Sequence, residues 1–304
     1  MTLAGWTPTE VRAGPVIRWC FTDGLDFTDP FFDESIERSL RDPFRLLFWR
    51  ETDMAALAQF AAESPGLAPA GFIFHSSRCG STLLTQMLAG LASTLVMSEP
   101  GPIDAVLRLE GSAADRVDWV RWVVSALGQP RRPSQTGFVV KFDAWSILQL
   151  PVILRAFPDT PCVFVYRDPV EVVSSQLGRR GYHMIPGTLP PEWFGMSPSE
   201  VTSVRPEEYC AAVLRRLCEV AVESGLRVVN YRDLPGAVTE TIAPLFGIDP
   251  DPAVFTRVAG RDAKNPFVPF VATPRPLAPA ARAMVEARVG PAYEALERVR
   301  LGQS

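Results

Sequence analysis

The sequence predicts an α/β fold with a central parallel sheet between layers of helices. Three observations carry that reading. From residue 71 onward, short apolar runs alternate with segments of helical length, the pattern of βαβ units. The first of these runs, "GFIF", passes through "HSSRCG" straight into "STLLTQMLAGL", a strand, turn and helix in immediate succession. With 304 residues, 47% of them hydrophobic, the chain can bury one large core.

Taken in order, residues 1–70 are rich in aromatic and acidic side chains and show no clear periodicity. They are expected to form an irregular and helical extension packed on a main domain, 71–304, or part of a substrate wall. The extension closes with a helix in "TDMAALAQFAAES", which Thr52 or Asp53 could cap. Strands are expected at 71–74, 94–97, 137–140, 162–166 and 227–230, each a compact apolar run. Helices fit "STLLTQMLAGL", "AADRVDWVRWVVSAL", "PVEVVSSQL", "PEEYCAAVLRRLCEVAVES" and "PGAVTETIAPLF". Where proline opens such a segment, its missing N–H falls in the first turn and costs nothing. Pro151 should split or kink "SILQLPVILRAF". Two long connections, 178–205 and 260–277, lack periodicity; the first has the length, Pro, Gly and aromatic content of a lid or substrate loop. An amphipathic helix around 279–299 ends the chain, with Met284, Val285, Val289, Tyr293, Leu296 and Val299 on one face.

Composition excludes several functions. A net charge of −4 and a pI near 5.4 argue against a nucleic-acid partner. No apolar run is long enough to span or insert in a membrane, and the N-terminus lacks the order of a signal peptide, so a cytoplasmic protein is expected. The five cysteines are odd in number and show no C-x-x-C spacing, which argues against a disulfide framework or a metal site. The oligomeric state is not legible.

The turn after the first strand has the outline of a phosphate-binding loop, G-x-x-x-x-G-K-[ST], without its lysine. His75 takes the place of the first glycine and Ser81 that of the lysine, while Gly80 and Thr82 fit. Backbone N–H groups and the following helix N-terminus would still hold an anion, and Arg78 could supply the cation from within the loop. Phosphoryl transfer usually also needs Mg²⁺ and that lysine; a sulfuryl group carries less charge and could pass between oxygens without metal.

"SSRCGSTLL" resembles the 5′-phosphosulfate loop of sulfotransferases that use 3′-phosphoadenosine 5′-phosphosulfate (PAPS), in the style of bacterial, carbohydrate and tyrosylprotein members. The resemblance implies a three-layer, P-loop-like fold in which Arg78, Cys79, Gly80, Ser81 and Thr82 cradle the phosphosulfate. Cys79 stands where Ser or Thr is commoner. "VFVYRDPVEVVSSQL" is similar to the family's 3′-phosphate element and implies a site formed by Arg167 and Ser175; if 169–177 is helical, the two can converge on one phosphate. "FVVKFDAW" resembles the strand-end lysine motif, placing Lys141 near the sulfuryl oxygens, with Asp143 where cytosolic members carry a catalytic histidine. "VVNYRDLPGAV" is similar to the Tyr-x-Asp-Leu segment after the fifth strand. "GRDAKNP" lies where members close a basic loop over the 3′-phosphate, implicating Arg261 and Lys264.

Transfer to a hydroxyl also requires a base. Glu99, after the second strand, emerges at the same sheet edge as the loop and matches the glutamate assigned as base in tyrosylprotein and several bacterial members; Asp143 is the runner-up. His75 could be a core or neighbouring residue and His183 merely exposed. The expected activity is sulfuryl transfer from PAPS, without a metal, to a small-molecule, saccharide or peptide hydroxyl or phenol. The rivals are a P-loop kinase using ATP and a catalytically silent nucleotide-binding homologue.

Overall fold

A computed structural model describes residues 3–12, 14–265, 267–268 and 276–303. Three strands open the chain, β1 (Trp6–Arg12), β2 (Val16–Phe21) and β3 (Trp49–Thr52), which pair antiparallel in that order. The sequence reading of this extension as irregular and helical missed the sheet, while helices do occur there, at Phe32–Ser39, Pro43–Leu47 and Met54–Glu63. Pro8 and a register shift beside it break the alternation of β1, and β3 reaches its partner across a long intervening segment. Asp53 caps the helix Met54–Glu63 by accepting the Ala56 N–H at 2.9 Å.

The main sheet is wholly parallel, in the order β5-β6-β4-β7-β8: β4 (Pro69–His75), β5 (Thr94–Ser98), β6 (Gly137–Lys141), β7 (Cys162–Tyr166) and β8 (Arg227–Asn230). The pleat divides the core. Phe72, Phe74, Phe138, Val140 and Phe164 bury one face together with Trp6, Trp19 and Phe60 of the extension and Leu214 and Val289 of two long helices, Pro206–Glu223 and Pro279–Arg300. Ile73, Val96, Val139, Val163, Val165 and Val229 bury the other against the helices Ser81–Ala89 and Pro252–Ala259. Three layers result, because strands buried on both faces are apolar throughout.

Strand order reverses around β4: the chain leaves it for the edge at β5, returns through β6, then crosses to β7. Such a switch point opens a crevice at the carboxyl ends of the strands. Pro151 begins the helix Leu150–Ala156 immediately after a 3₁₀ turn, so the proline splits its segment there. The connection 178–205 is more structured than its composition suggests; it carries two 3₁₀ turns and the helix Pro198–Ser203, and it buries Met184, Leu189 and Phe194. On the final helix, Val285, Val289 and Leu296 are buried but Val299 is exposed. Of the connection 260–277, residues 266 and 269–275 lie outside the described residues. Among the described residues no helix is long and apolar enough to cross a membrane.

Candidate active site

The loop that leaves β4 is held in a conformation its residues do not favour. Among the described residues, only three non-glycine residues have left-handed φ: Ser77 at 65°, Arg78 at 51° and Glu99 at 53°. All three lie in the segments singled out from the sequence. Such residues persist where the surroundings over-determine them, characteristically at functional sites. Here the restraints are visible. Ser76 N–H donates to Val165 at 2.9 Å, and Ser77 N–H donates to His75 Nδ1 at 3.0 Å. The buried Gln176 donates to Ser77 Oγ at 2.8 Å, and Arg78 Nη2 donates to the Arg179 carbonyl at 3.2 Å.

Gly80 completes the turn at φ 82°, a conformation open to glycine, and a Cβ there would meet the Tyr231 ring at 2.7 Å. The helix Ser81–Ala89 that follows has no side chain capping its N-terminus, so its first N–H groups can serve an anion. Ser81 and Thr82 are buried on that first turn, and Cys79 is fully buried behind the loop.

Glu99 is placed by β5 and β6 together. Its N–H donates to the Lys141 carbonyl at 2.7 Å, which continues the ladder by one residue before Pro100 turns the chain away. Its Oε1 lies 2.9 Å from Lys141 Nζ and 3.2 Å from His75 Nε2. Both nitrogens approach off axis and lack an aligned hydrogen bond. Burial would raise the Glu99 pKa, but the Lys141 charge and the His75 contact outweigh it and hold the carboxyl far below the ordinary range. The opposite holds for Asp143: burial, then the charges of Glu99 and Asp104, keep it protonated well above its ordinary value despite His75 and Lys141 nearby. Of the two candidate bases, Glu99 is the one ionised first.

A cluster of cations surrounds the loop. Lys141 is fully buried, with Nζ 4.8 Å from the centre of the Phe31 ring, while Lys264 Nζ lies 5.5 Å from the same ring. Although Lys264 is exposed by surface area, the surrounding protein, then the charges of Arg78 and Lys141, bring its pKa down to about 8; Arg179 adds to the effect and Glu99 opposes it. Ser76 Oγ, Arg78 Nε and Lys141 Nζ are buried without an aligned protein partner. Buried donors in that state, grouped around left-handed backbone and a helix N-terminus, fit an anionic group.

The Arg167–Ser175 segment is built from β7. Asp168 caps the helix Pro169–Gly178 by accepting Glu171 N–H at 3.1 Å, so the condition placed on Arg167 and Ser175 is met and Ser175 lies two turns along. Arg167 is paired with Glu171 and stacks on Tyr231 at 4.2 Å. Tyr231 therefore lies against both Gly80 and Arg167, and a segment read from sequence as a structural signature joins the loop to the Arg167–Ser175 segment. Arg261 is exposed and holds its backbone N–H to Val258.

Sequence reasoning missed the contributions of His75, His183, Phe31, Arg179 and Tyr231. His183 is not exposed: it is 5% accessible, its Nε2 has no partner, and burial, then the neighbouring His75, bring its pKa down to about 4. The usable signal was the polar "HSS" ending an otherwise apolar strand. The remaining contacts join residues far apart in the chain. Among the described residues no group of His, Cys, Asp and Glu is arranged to hold a metal ion.

Solved structures that resemble this chain include two bacterial sulfotransferases. A sulfotransferase from Alicyclobacillus acidocaldarius is 16% identical, with 77% of this chain and 96% of that one covered, at a TM-score of 0.46. A sulfotransferase from Mycobacterium avium is 11% identical, with 83% and 79% covered, at a TM-score of 0.44. No family model matches the chain, and no curated protein does.

Proposed function

We propose that the chain transfers a sulfuryl group from PAPS to a hydroxyl or phenol, the bond from sulfur to the acceptor oxygen forming as the bond to the 5′-phosphate oxygen breaks and adenosine 3′,5′-bisphosphate leaves. The observation that carries this reading is the strained loop with Arg78, Lys141 and Lys264 around it and no lysine within it. PAPS supplies an activated sulfuryl group on a nucleotide that carries a separate 3′-phosphate. The loop N–H groups, Arg78, Ser81 and Thr82 bind the 5′ end, with Cys79 contributing backbone only. Arg167 and Ser175 bind the 3′-phosphate after Arg167 leaves Glu171, and Arg261 adds charge at that edge. Lys264, grouped with Arg78 and Lys141, serves the sulfuryl end.

Glu99 accepts the acceptor's proton. Its depressed pKa keeps it ionised at neutral pH but makes it a weak base while Lys141 lies on Oε1. As Lys141 turns toward the sulfuryl oxygens, Glu99 loses its strongest partner and becomes more basic, so charge stabilisation on the donor and base activation are one movement. Asp143, holding its proton, donates a hydrogen bond instead. The acceptor, whether small molecule, saccharide or peptide, reaches this pair between Phe31 and the 178–205 connection, and the protein works in the cytoplasm.

Calorimetry tests the donor. Adenosine 3′,5′-bisphosphate should bind in the absence of Mg²⁺ and more tightly than ATP. Tighter Mg²⁺-dependent binding of ATP, with phosphoryl transfer, would replace this reading with a kinase.

A further inference from the structure

His75 is the first residue of the loop and the last of β4, and it is 4% accessible. Its two ring nitrogens have different tasks. Nδ1 accepts the Ser77 N–H at 3.0 Å, a bond made by one of the left-handed residues, and Nε2 lies 3.2 Å from Glu99 Oε1. An imidazole nitrogen that accepts carries no proton, so the ring proton sits on Nε2, beside the carboxylate but off its axis. With Lys141 also on Oε1, the other carboxylate oxygen is left for a substrate.

We propose that His75 is a positioning residue that makes the phosphate loop and the base a single unit, its Nδ1 fixing the loop through Ser77 and its Nε2–H fixing Glu99. The proposal rests on the reading of Glu99 as the base and of the loop as the phosphosulfate site. It adds the group that orients one through the other, as the third member of a triad orients its base. A small displacement of a base costs up to about a hundredfold in rate, so an oriented Glu99 matters more than a merely nearby one.

The charged surroundings of the ring bear on this. Cys79 faces it from the loop, Glu99 from the end of β5, Lys141 and Asp143 from the end of β6, and His183 from the 178–205 connection. Burial opposes a charged imidazole, but Cys79 and Glu99 favour one and raise the ring pKa to about 9. The extra proton, however, would have to occupy Nδ1, where the Ser77 N–H already points. The hydrogen-bond geometry decides for the neutral ring, and its negative neighbours strengthen the hold of Nε2–H on Glu99.

Two substitutions separate the tasks, because an asparagine oxygen can replace Nδ1 and a glutamine amide can replace Nε2–H. His75→Asn should keep adenosine 3′,5′-bisphosphate affinity within about twofold while the Glu99 carboxyl, followed by ¹³C NMR, titrates at higher pH than in the wild type. His75→Gln should leave the Glu99 titration in place and weaken bisphosphate binding by about tenfold, the scale of one backbone hydrogen bond. In the wild type, ¹⁵N NMR should show Nδ1 without a proton, a measurement that stands even where a variant fails to fold. A protonated Nδ1, or an unmoved Glu99 titration in His75→Asn, overturns the proposal. Failure of the wild type to bind the bisphosphate would remove the donor reading instead, with the tautomer and the titration still legible.

Discussion

Replacing Lys141 by methionine isolates the charge at the centre of the site. The side chain is fully buried and its Nζ lies 2.9 Å from Glu99 Oε1. At an effective dielectric of about 20, charges at that separation attract by about 6 kcal/mol. Desolvation of both groups offsets much of this, so the pair as a whole contributes little. Removing one partner alone is different, because it leaves the largely buried Glu99 carboxylate without its main counter-charge; such changes cost about 3–5 kcal/mol. Glu99 keeps 22% of its side-chain surface and some hydration, which places the expected loss near the lower end, about 3 kcal/mol. For a chain of 304 residues that lowers the melting midpoint by roughly 5 °C.

Lys141→Met combined with Glu99→Gln should recover most of the loss, since the uncompensated charge is gone. The pH dependence follows from the sign of the shift. The Glu99 carboxyl is depressed from its ordinary 4.5, so its contribution is present above that pH and fades as pH falls through the folded value. The gap between wild type and Lys141→Met should therefore be widest at neutral pH and narrow below about 4.5. Thermal melts and urea titrations at several pH values measure it. A single variant as stable as the wild type, or a double variant no better than the single, would refute the ion-pair account.

Arg167→Ala should weaken adenosine 3′,5′-bisphosphate binding by about 2–3 kcal/mol in calorimetry, the loss of a charge-assisted contact, whereas Glu171→Gln, which releases Arg167 from its internal partner, should tighten it; unchanged affinity in Arg167→Ala rejects the 3′-phosphate site. With a phenol acceptor, Glu99→Gln should lower single-turnover rates by about a hundredfold or more and leave bisphosphate affinity nearly intact. Asp143→Asn should cost far less, because its carboxyl is already protonated, and the reverse ranking would transfer the base role.

The parts of the molecule legible in the sequence are those whose physics is local. All five parallel strands were readable because burial on both faces makes each a continuous apolar run, from Phe72 and Ile73 in β4 to Val228 and Val229 in β8. The phosphate loop and the Arg167–Ser175 element were readable because each is one strand, one turn and one helix. The small antiparallel sheet was not, because "WRET" pairs with a strand far upstream and only that pairing makes it a strand. The same limit applies to the site. Nothing near Phe31 in the chain announces that its ring meets Lys141, and nothing near His183 announces burial.

The strain in the site shows how local and distant restraints work together. Ser77, Arg78 and Glu99 each occupy a conformation that costs on the order of 1–3 kcal/mol, and sequence alone supplies no reason to adopt it. The reason lies in partners that arrive from three different strands and the segment after one of them: Val165 and His75 hold the loop backbone, Gln176 and the Arg179 carbonyl hold its side chains from the segment after β7, and the Lys141 carbonyl holds Glu99. Val165, His75 and Lys141 are anchored in buried strands and Gln176 in a helix, while Arg179 follows directly on that helix. The loop donors are thus fixed in advance, and on the proposed function they would need little reorganisation to bind an anion, the condition under which electrostatic stabilisation of a transferring group is most effective.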